Sequence, residues 1–187
     1  MDQAKIENLI KQLIGEIGED PNREGLRKTP GRVAASFAKL YGGYDKDIKE
    51  LLTTFDGESY DEMIICKCID FYSNCEHHIQ PFFGQVSIGY IPDKKIIGIS
   101  KLPRIVETFS RRLQNQERLT MQIANTLHEL LSPKGVGVVI EAKHLCMLSR
   151  GVEKQNAIMT TSSYRGLFKN NAKTRSEFLR LIAKKDH

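Results

Sequence analysis

The sequence predicts an α+β protein in which helices come first and an antiparallel sheet backed by two helices follows. Three observations predict this class. Apolar residues recur at helical spacing along the first 41 residues. Later segments alternate apolar and polar residues, as strands with one buried face require. Between these strand segments lie two further stretches with helical spacing, and no internal repeat interrupts the order, which favours an α+β domain.

The first 50 residues are predicted to form a helical segment that precedes the main domain at residues 51–187. The first helix ends near Gly18 and carries an apolar stripe formed by Ile6, Leu9, Ile10, Leu13 and Ile17. The second helix begins with Thr29 as its N-cap and Pro30 in its first turn, and Gly42 and Gly43 end it. We expect the two segments to form a single structural unit overall.

The same patterns predict the strands and the remaining helices. Predicted strands cover residues 62–71, 85–90, 95–99, 135–142 and 157–164. Two helices lie between the third and fourth strands, one around Phe109 and one around Ile123 that ends at Ser132 and Pro133. A closing helix is expected within residues 171–187, where lysines and arginines would form a solvated face and not a nucleic-acid-binding tail.

Composition limits the cellular setting and the partners. At 187 residues the chain has enough core to fold without disulfides between its four cysteines. It shows no signal peptide and no apolar stretch that could span a bilayer, so we expect a cytoplasmic protein with reduced thiols and no membrane partner. The net charge of +5 and the pI of about 9.0 favour a polyanionic ligand. No recognition-helix or zinc-finger spacing indicates nucleic acid, which leaves the phosphates of a nucleotide.

Cysteine and histidine cluster at two places that predict a metal site. Cys75 and His78 are three residues apart, so one turn of chain can present both, and Cys146 lies far along the sequence. Three protein ligands leave one coordination position open on zinc, and a water bound there can ionise near neutral pH. The sequence therefore predicts one catalytic Zn²⁺ per subunit, held by Cys75, His78 and Cys146.

Of three alternatives to this ligand set, geometry argues against the first and the other two stay open. Cys66 and Cys68 share a face of a predicted strand at about 6.6 Å, whereas two sulfurs on zinc lie about 3.8 Å apart, so we interpret them as ordinary strand residues. A closed structural site would recruit His77 or His144 as a fourth ligand. The third alternative is buried thiols without metal. If they are not ligands, His77 and His144 are suited to moving protons near the metal.

Further polar residues lie where predicted strands and helices meet. Ser100 and Lys101 precede a helix, and Ser100 could be an ordinary helix cap. Gln116 and Glu117 open the next helix, where an acidic residue also interacts favourably with the helix dipole. Ends of strands and helices carry binding and catalytic residues more often than their interiors do, so these four residues are candidates for ligand contacts.

Short motifs follow one another along residues 20–182. They are EGL at 24–26, TPGRVA at 29–34, SNCEHH at 73–78, PFFG at 81–84, GISK at 98–101 with Arg104, QNQERLT at 114–120, HLC at 144–146, RG at 150–151 and TSSYRGLF at 161–168. In this order the motifs closely resemble the GTP cyclohydrolase I family in its bacterial-type and animal-type form. Members of this family are zinc enzymes that open pterin and folate synthesis.

The resemblance implies a fold, a reaction and an assembly. The fold would be the tunnelling fold, an antiparallel sheet backed by helices. The reaction would convert GTP and water to 7,8-dihydroneopterin triphosphate and formate, the first step of tetrahydrofolate and pterin biosynthesis. Family members form homodecamers of two pentamers with active sites at subunit interfaces, so the same assembly is expected here.

The resemblance also implies a role for each matching residue. Zinc would be bound by Cys75, His78 and Cys146. His77 and His144 would move protons during attack on C8 of the guanine. Glu117, with Gln116 beside it, would hold the purine edge, and Ser100 would contact the ribose during the later ring closure. The triphosphate would be bound by Lys101, Arg104, Arg150 and, from a neighbouring subunit, Arg32.

Departures from the family pattern are small. Ser149 stands where relatives often carry a small or sulfur-containing apolar residue, and we expect no long N-terminal regulatory extension. Two other functions stay open. An enzyme of the same fold with a cysteine nucleophile or another substrate would not need all three ligands together. A basic, zinc-stabilised nucleic-acid-binding module would bind with a steep salt dependence and unfold when zinc is removed.

Overall fold

The computed structural model describes residues 1–51, 53–57 and 59–183, and it divides into two compact units. The first unit comprises Met1–Gly42, and the second begins at Gly43. This division falls earlier in the chain than the boundary after residue 50 that the sequence indicated. Among the residues described, no helix combines the length and the apolar character needed to cross a bilayer.

The first unit contains two helices, α1 (Gln3–Glu16) and α2 (Thr29–Leu40), as predicted. The predicted cap of α2 was wrong, because Thr29 is already helical and Lys28 stands at the N-cap without a side-chain hydrogen bond. Pro30 lies in the first turn, where its missing N–H removes no intrahelical hydrogen bond. Proline, and not a side-chain cap, therefore marks where this helix begins.

The apolar stripe of α1 is only partly buried. Ile14, which does not belong to the stripe, is 6 % exposed. Leu9, Leu13 and Ile17 are exposed, and because they are four residues apart they share one face of the helix. The buried face of α1 therefore carries Ile14 together with Ile6 and Ile10, two residues of the stripe that are half-buried.

The second unit contains strands and helices in alternation. Its strands are β1 (Thr54–Asp56), β2 (Ile64–Cys75), β3 (Pro81–Ile91), β4 (Lys95–Ile97), β5 (Leu113–Gln114), β6 (Gly135–His144) and β7 (Met159–Gly166). Its helices are α3 (Ile48–Leu51), α4 (Lys101–Ser110), α5 (Gln116–Leu131), α6 (Leu145–Leu148), α7 (Leu167–Asn170) and α8 (Ala172–Ala183). A 3-10 helix at Gly42–Asp45 precedes α3.

The main sheet has five strands in the order β5-β2-β3-β6-β7. Neighbouring strands pair antiparallel, except that β5 adds two residues parallel to β2. The predicted α+β class and the antiparallel sheet are confirmed. β2 and β6 continue past their predicted ends to Cys75 and His144, so both strands end at residues that the sequence assigns to the site.

The predicted strand at residues 95–99 is confirmed as β4 over Lys95–Ile97, and its predicted end at residue 99 was wrong. β4 pairs with β1 in a separate two-stranded sheet, with Phe55 opposite Ile96. The backbone N–H of Gly98 bonds to the carbonyl of Thr53 at 3.0 Å, and the chain then turns into α4. This hydrogen bond continues the register of β1 and β4 by one pair, and the start of α4 then ends the strand before Ile99.

A β-bulge interrupts β2 between Cys66 and Ile69. Cys66 pairs with Ile88 and Ile69 with Val86, so two residues of β2 stand opposite one residue of β3. Cys68 has a φ of 58°, in the left-handed region that side chains other than glycine rarely adopt. The regular spacing assumed for Cys66 and Cys68 was therefore wrong, because the bulge changes the side on which Cys68 lies.

Helices α4 and α5 cover one face of the main sheet, as predicted. Val86, Ile88 and Tyr90 of β3 belong to this core and are at most 1 % exposed. Ile123 and Leu127 of α5 are fully buried in the same cluster. Complete burial of a large apolar side chain stabilises the fold by about 1.5–3 kcal/mol. This apolar layer positions the start of α5, where Gln116 and Glu117 lie.

Helices α7 and α8 cover the opposite face through two phenylalanines, Phe168 and Phe178, that are fully buried. A Cβ atom at Gly89 would lie 2.7 Å from the Phe178 ring, and one at Gly137 would lie 2.5 Å from the Phe168 ring. Both glycines are therefore needed for the close approach of the rings to the sheet. The predicted closing helix is confirmed over the span of α8, and its residues 184–187 lie outside the described part.

Replacing Phe178 with alanine tests this packing. Phe178→Ala should lower the free energy of unfolding by about 3–5 kcal/mol, because the ring leaves a cavity above the glycines. Leu179→Ala is the matched control, since Leu179 is the next residue on α8 and is 41 % exposed; it should cost less than about 1 kcal/mol. Denaturant unfolding followed by circular dichroism measures both. Equal losses would contradict the packing described here.

Candidate metal centre and active site

The turn between β2 and β3 presents the first two candidate ligands. The backbone N–H of Cys75 bonds to the carbonyl of Gln80 at 2.8 Å, and the N–H of Ile79 bonds to the carbonyl of Cys75 at 2.8 Å. Ile79 adopts a φ of 54°, which tightens the turn. His77 and His78 are exposed within it, and Nδ1 of each lies 3.9 Å from the sulfur of the buried Cys75.

Strand β6 and the short helix after it bring the third candidate ligand to this turn. The pairing of β3 with β6 sets Phe82 opposite His144, and α6 begins at the next residue. The ligand atoms of Cys75, His78 and Cys146 all lie within 4.8 Å of one another. No other group of three or more Cys, His, Asp or Glu meets this condition within the residues that the structure describes.

The donor chemistry of this cluster fits zinc. All four cysteines are free thiols, and Cys66 and Cys68 lie outside the cluster. Two thiolates and an imidazole are donors that zinc prefers, with bonds of about 2.3 Å to sulfur and about 2.0–2.1 Å to nitrogen. Burial and the neighbouring Cys75 thiol raise the pKa of the Cys146 thiol, whereas the charge of Arg150 lowers it. A divalent cation would stabilise both thiolates.

A cavity of about 240 Å³ opens beside the cluster. Besides the three candidate ligands it is lined by His77, Asn115, Gln116, Glu117, His144, Met147 and Met159. Four of these residues were named from the sequence. Asn115, Met147 and Met159 were missed, because an amide and two methionines carry no spacing signal that points to a site.

The ring of His144 is held from two directions. It stacks on Phe82 with ring centroids 4.5 Å apart and an interplanar angle of 4°. Its Nε2 lies 2.8 Å from Oε1 of Gln116. Burial lowers the pKa of His144 below its ordinary value of 6.5, and the charge of Glu117 opposes this only in part. The lowered pKa favours the neutral imidazole at pH 7.

Gln116 and Glu117, the two predicted site residues in the first turn of α5, have different surroundings. Gln116 is 3 % exposed, and its amide is bonded to other parts of the protein. Glu117 is exposed and lines the cavity. Asn115 caps the helix by accepting a hydrogen bond from the backbone N–H of Arg118 at 2.8 Å. The helix start is thereby held in place while Glu117 remains accessible from the cavity.

An ion pair between Glu76 and Arg118 joins the turn between β2 and β3 to α5. Asn115 donates a further hydrogen bond to the same carboxylate at 3.1 Å. Gln114 supports the same ion pair with two groups. Its side-chain oxygen accepts a hydrogen bond from Arg118 at 2.9 Å, and its backbone carbonyl accepts one from the backbone N–H of Glu76 at 2.9 Å. The hydrogen bond and charge of Arg118 hold the pKa of the Glu76 carboxyl below its ordinary value. Sequence reasoning missed this pair, which lies 42 residues apart.

Five other predicted contacts do not line this cavity. Ser100 stands at the N-cap of α4, the position that its interpretation as a helix cap requires, but its side chain makes no capping hydrogen bond. Lys101 and Arg104 lie in the first turn of the same helix, and Arg150 follows α6. Arg32 lies in α2, within the first unit.

Fold and site together define a class of protein. An α+β fold that brings a three-ligand Cys and His cluster together with two further histidines, a glutamate and a cavity has the parts of a metal-dependent enzyme. The sequence matches the family described as GTP cyclohydrolase I over residues 6–183. The chain therefore belongs to the GTP cyclohydrolase I family.

Similar proteins named GTP cyclohydrolase 1 cover nearly the whole chain. The protein from Wolinella succinogenes is 57 % identical over 182 residues, which are 96 % of this chain and 97 % of that protein. The protein from Leptospira biflexa is 56 % identical over 186 residues, 97 % of this chain and 100 % of its own length. The protein from Helicobacter pylori strain G27 is 55 % identical over 179 residues, which are 95 % of this chain and 99 % of that protein. The resemblance stated from the motifs is confirmed.

Removal of one candidate ligand tests the metal centre. Cys146→Ser and His78→Ala should each lose bound zinc, because two remaining ligands hold the ion too weakly. Zinc per chain is measured by plasma mass spectrometry after dialysis against metal-free buffer, and circular dichroism checks the fold. Cys68→Ser is the matched control and should retain zinc, since Cys68 is exposed and lies outside the cluster. Stoichiometric zinc in either ligand variant would refute the assignment.

The pH dependence of stability tests the ion pair of Glu76. The native pKa of its carboxyl lies below the ordinary value of 4.5. The pair therefore stabilises the fold above pH 4.5 and loses this effect as pH falls through the native pKa. Glu76→Gln should melt at a lower temperature than the unmodified chain at pH 7, and the difference should shrink below pH 4.5. Glu129→Gln, at an exposed position on α5, is the control. A difference that persists in acid would contradict the ion pair.

Proposed function

We propose that this protein hydrolyses GTP to formate and 7,8-dihydroneopterin triphosphate, the first step of tetrahydrofolate and pterin biosynthesis. The observation that carries the proposal is the convergence of the candidate metal ligands, two further histidines and Glu117 on one cavity. Membership of the GTP cyclohydrolase I family supports the choice of substrate. The reaction opens the imidazole ring of guanine, releases C8 as formate and closes a new ring with carbons of the ribose.

The proposed cofactor is one Zn²⁺ per subunit, held by Cys75, His78 and Cys146. Bound there, zinc would supply a water whose pKa lies at about 7, far below that of bulk water. Cys75 is buried and His78 is exposed, so the ligands reach from the core to the cavity. Three protein ligands leave one coordination position for the water.

Glu117 is proposed to hold the purine. An ionised carboxylate only accepts hydrogen bonds, and guanine offers it N1–H and the exocyclic amine on one edge. The position of Glu117 on the cavity wall supports this role. Gln116 directs its side chain to His144, so it acts on the purine indirectly, through the position of that ring.

His77 and His144 are proposed to move protons at C8 and N7 during ring opening. Their surroundings differ, which supports a division of labour. His77 is exposed and its Nε2 lies 3.8 Å from Glu76. His144 is half-buried with its ring held on Phe82, and its lowered pKa favours the neutral form. A neutral imidazole can accept a proton, and an exposed one can exchange protons with solvent.

Ser100 is proposed to contact the ribose, and the triphosphate is proposed to lie against cationic side chains. These are Lys101, Arg104, Arg150 and, from a neighbouring subunit, Arg32. The net charge of +5 supports binding of a polyanion. We further propose a homodecamer of two pentamers with sites at subunit interfaces, which would let cationic side chains outside the described cavity reach the substrate. A cytoplasmic location is proposed because both cysteine ligands must remain reduced.

The direct test is incubation of the purified, zinc-loaded protein with GTP. Formate release and dihydropterin absorbance should grow together, and both should stop when a chelator removes the metal. The Cys68→Ser variant should behave as the unmodified chain. A zinc-loaded protein that yields neither product from GTP would refute the proposed substrate, and other purine nucleotides would then be compared.

His144→Ala separates proton transfer from metal binding. The variant should retain zinc and lose turnover by about 10²–10⁴-fold, the usual contribution of a positioned acid or base. Zinc content and single-turnover formate release are measured on the same sample. Loss of zinc in this variant would make His144 a ligand and would overturn its proposed role.

A further inference from the structure

A buried hydrogen-bond network joins His144 to the last strand of the sheet through Gln116. The side-chain oxygen of Gln116 lies 2.8 Å from Nε2 of His144. Its amide nitrogen lies 3.1 Å from the carbonyl of Ile140, 3.0 Å from the carbonyl of Met159 and 3.1 Å from the hydroxyl of Thr161. Gln116 is 3 % exposed, so these contacts have little competition from water.

The orientation of the Gln116 amide is decided by its neighbours. Backbone carbonyls only accept hydrogen bonds, so the group that faces Ile140 and Met159 must be the NH₂. The opposite orientation would bring the amide oxygen against two carbonyl oxygens, and neither of those contacts could carry a hydrogen. The amide oxygen therefore faces His144.

This orientation determines where His144 carries a hydrogen. An amide oxygen only accepts, so the 2.8 Å contact requires a hydrogen on Nε2 of His144. That holds for the charged ring and for the neutral ring alike. In the neutral ring the other nitrogen, Nδ1, is then the acceptor, and the ring is limited to one of its two tautomers.

Two threonines complete the network, and their contacts determine which group donates in each hydrogen bond. The hydroxyl of Thr120 lies 2.6 Å from the backbone carbonyl of Gln116, which can only accept, so the hydrogen of Thr120 is committed there. The 2.7 Å contact between Thr120 and Thr161 must then use the hydrogen of Thr161. A lone pair of Thr161 is thereby left for the amide NH₂ of Gln116, whose two hydrogens are shared among Thr161 and the two carbonyls. Each of the two hydroxyl hydrogens therefore has a single possible acceptor in the network.

We propose that Thr161, together with Thr120, is a positioning residue that holds the Gln116 amide so that His144 keeps its hydrogen on Nε2. Neither threonine lines the cavity, and both act through Gln116. The catalytic consequence rests on the proposed function, because it requires His144 to move protons during turnover. The hydrogen placement itself does not depend on the identity of the substrate.

The test reads the tautomer of His144 directly. Histidine-selective ¹⁵N labelling and solid-state NMR of the zinc-loaded protein distinguish protonated from unprotonated ring nitrogens, and His144→Asn assigns the signals. The unmodified chain should show hydrogen on Nε2 in the absence of GTP. Gln116→Leu removes the acceptor and should populate the second tautomer. Thr161→Val leaves Gln116 in place and should shift the population in the same direction by a smaller amount.

Matched variants separate positioning from general loss of structure. Thr161→Val should lower kcat about fivefold, the effect of one lost hydrogen bond, with KM nearly unchanged. Thr161→Ser keeps the hydroxyl and should restore both the spectrum and kcat. Thr160→Val is the control, because Thr160 is the exposed neighbour on β7 and its side chain points to the other face.

Two outcomes would overturn the proposal. One is hydrogen on Nδ1 in the unmodified chain, and the other is an unchanged His144 spectrum in both Gln116→Leu and Thr161→Val at equal zinc content. Failure of the proposed function is a different result. A spectrum that shifts as expected in a protein that yields no formate from GTP would support the network while refuting the substrate.

Discussion

The pairing of β3 with both β2 and β6 is the constraint on which the site depends. β3 continues from the turn that carries Cys75 and sets Phe82 opposite His144 on the neighbouring strand. Because side chains alternate along a strand, a slip of one residue would turn Phe82 or His144 to the opposite face. The apolar alternation that buries one face of β3 therefore also sets the spacing between the turn and Cys146. Stability and ligand geometry rest on the same register.

The first turn of α5 is the second support of the site. Asn115 caps the helix and bonds to Glu76, Gln116 bonds to His144, and Glu117 lines the cavity. Successive residues of a helix point about 100° apart. Asn115, Gln116 and Glu117 therefore point in different directions, toward the β2–β3 turn, toward β6 and into the cavity. The core of α5 holds this turn in position, since Ile123 and its neighbours are packed against the sheet. Packing far from the cavity thus determines geometry within it.

Periodicity predicted most helices and strands because burial of one face imposes a spacing on each. It failed where contacts between elements outweighed the local pattern. Cys68 adopts a left-handed conformation at a bulge, which no spacing rule indicates. The segment after Asp93 forms a strand, but with β1 and not with the main sheet. In α1 the apolar residues Leu9 and Leu13 are exposed while Ile14 is buried, since a pattern identifies an apolar face but not what covers it.

The sequence by itself determined the α+β class, the family and the residue types able to bind metal, because motif order and short spacings are properties of the chain alone. Only the tertiary structure decided which groups surround them. Glu76 meets Arg118 across 42 residues, His144 meets Gln116 across 28, and Thr161 meets Gln116 across 45. Such contacts depend on strand register and on the rotation of α5 about its axis. Both are settled by packing of the whole core, which no local segment encodes.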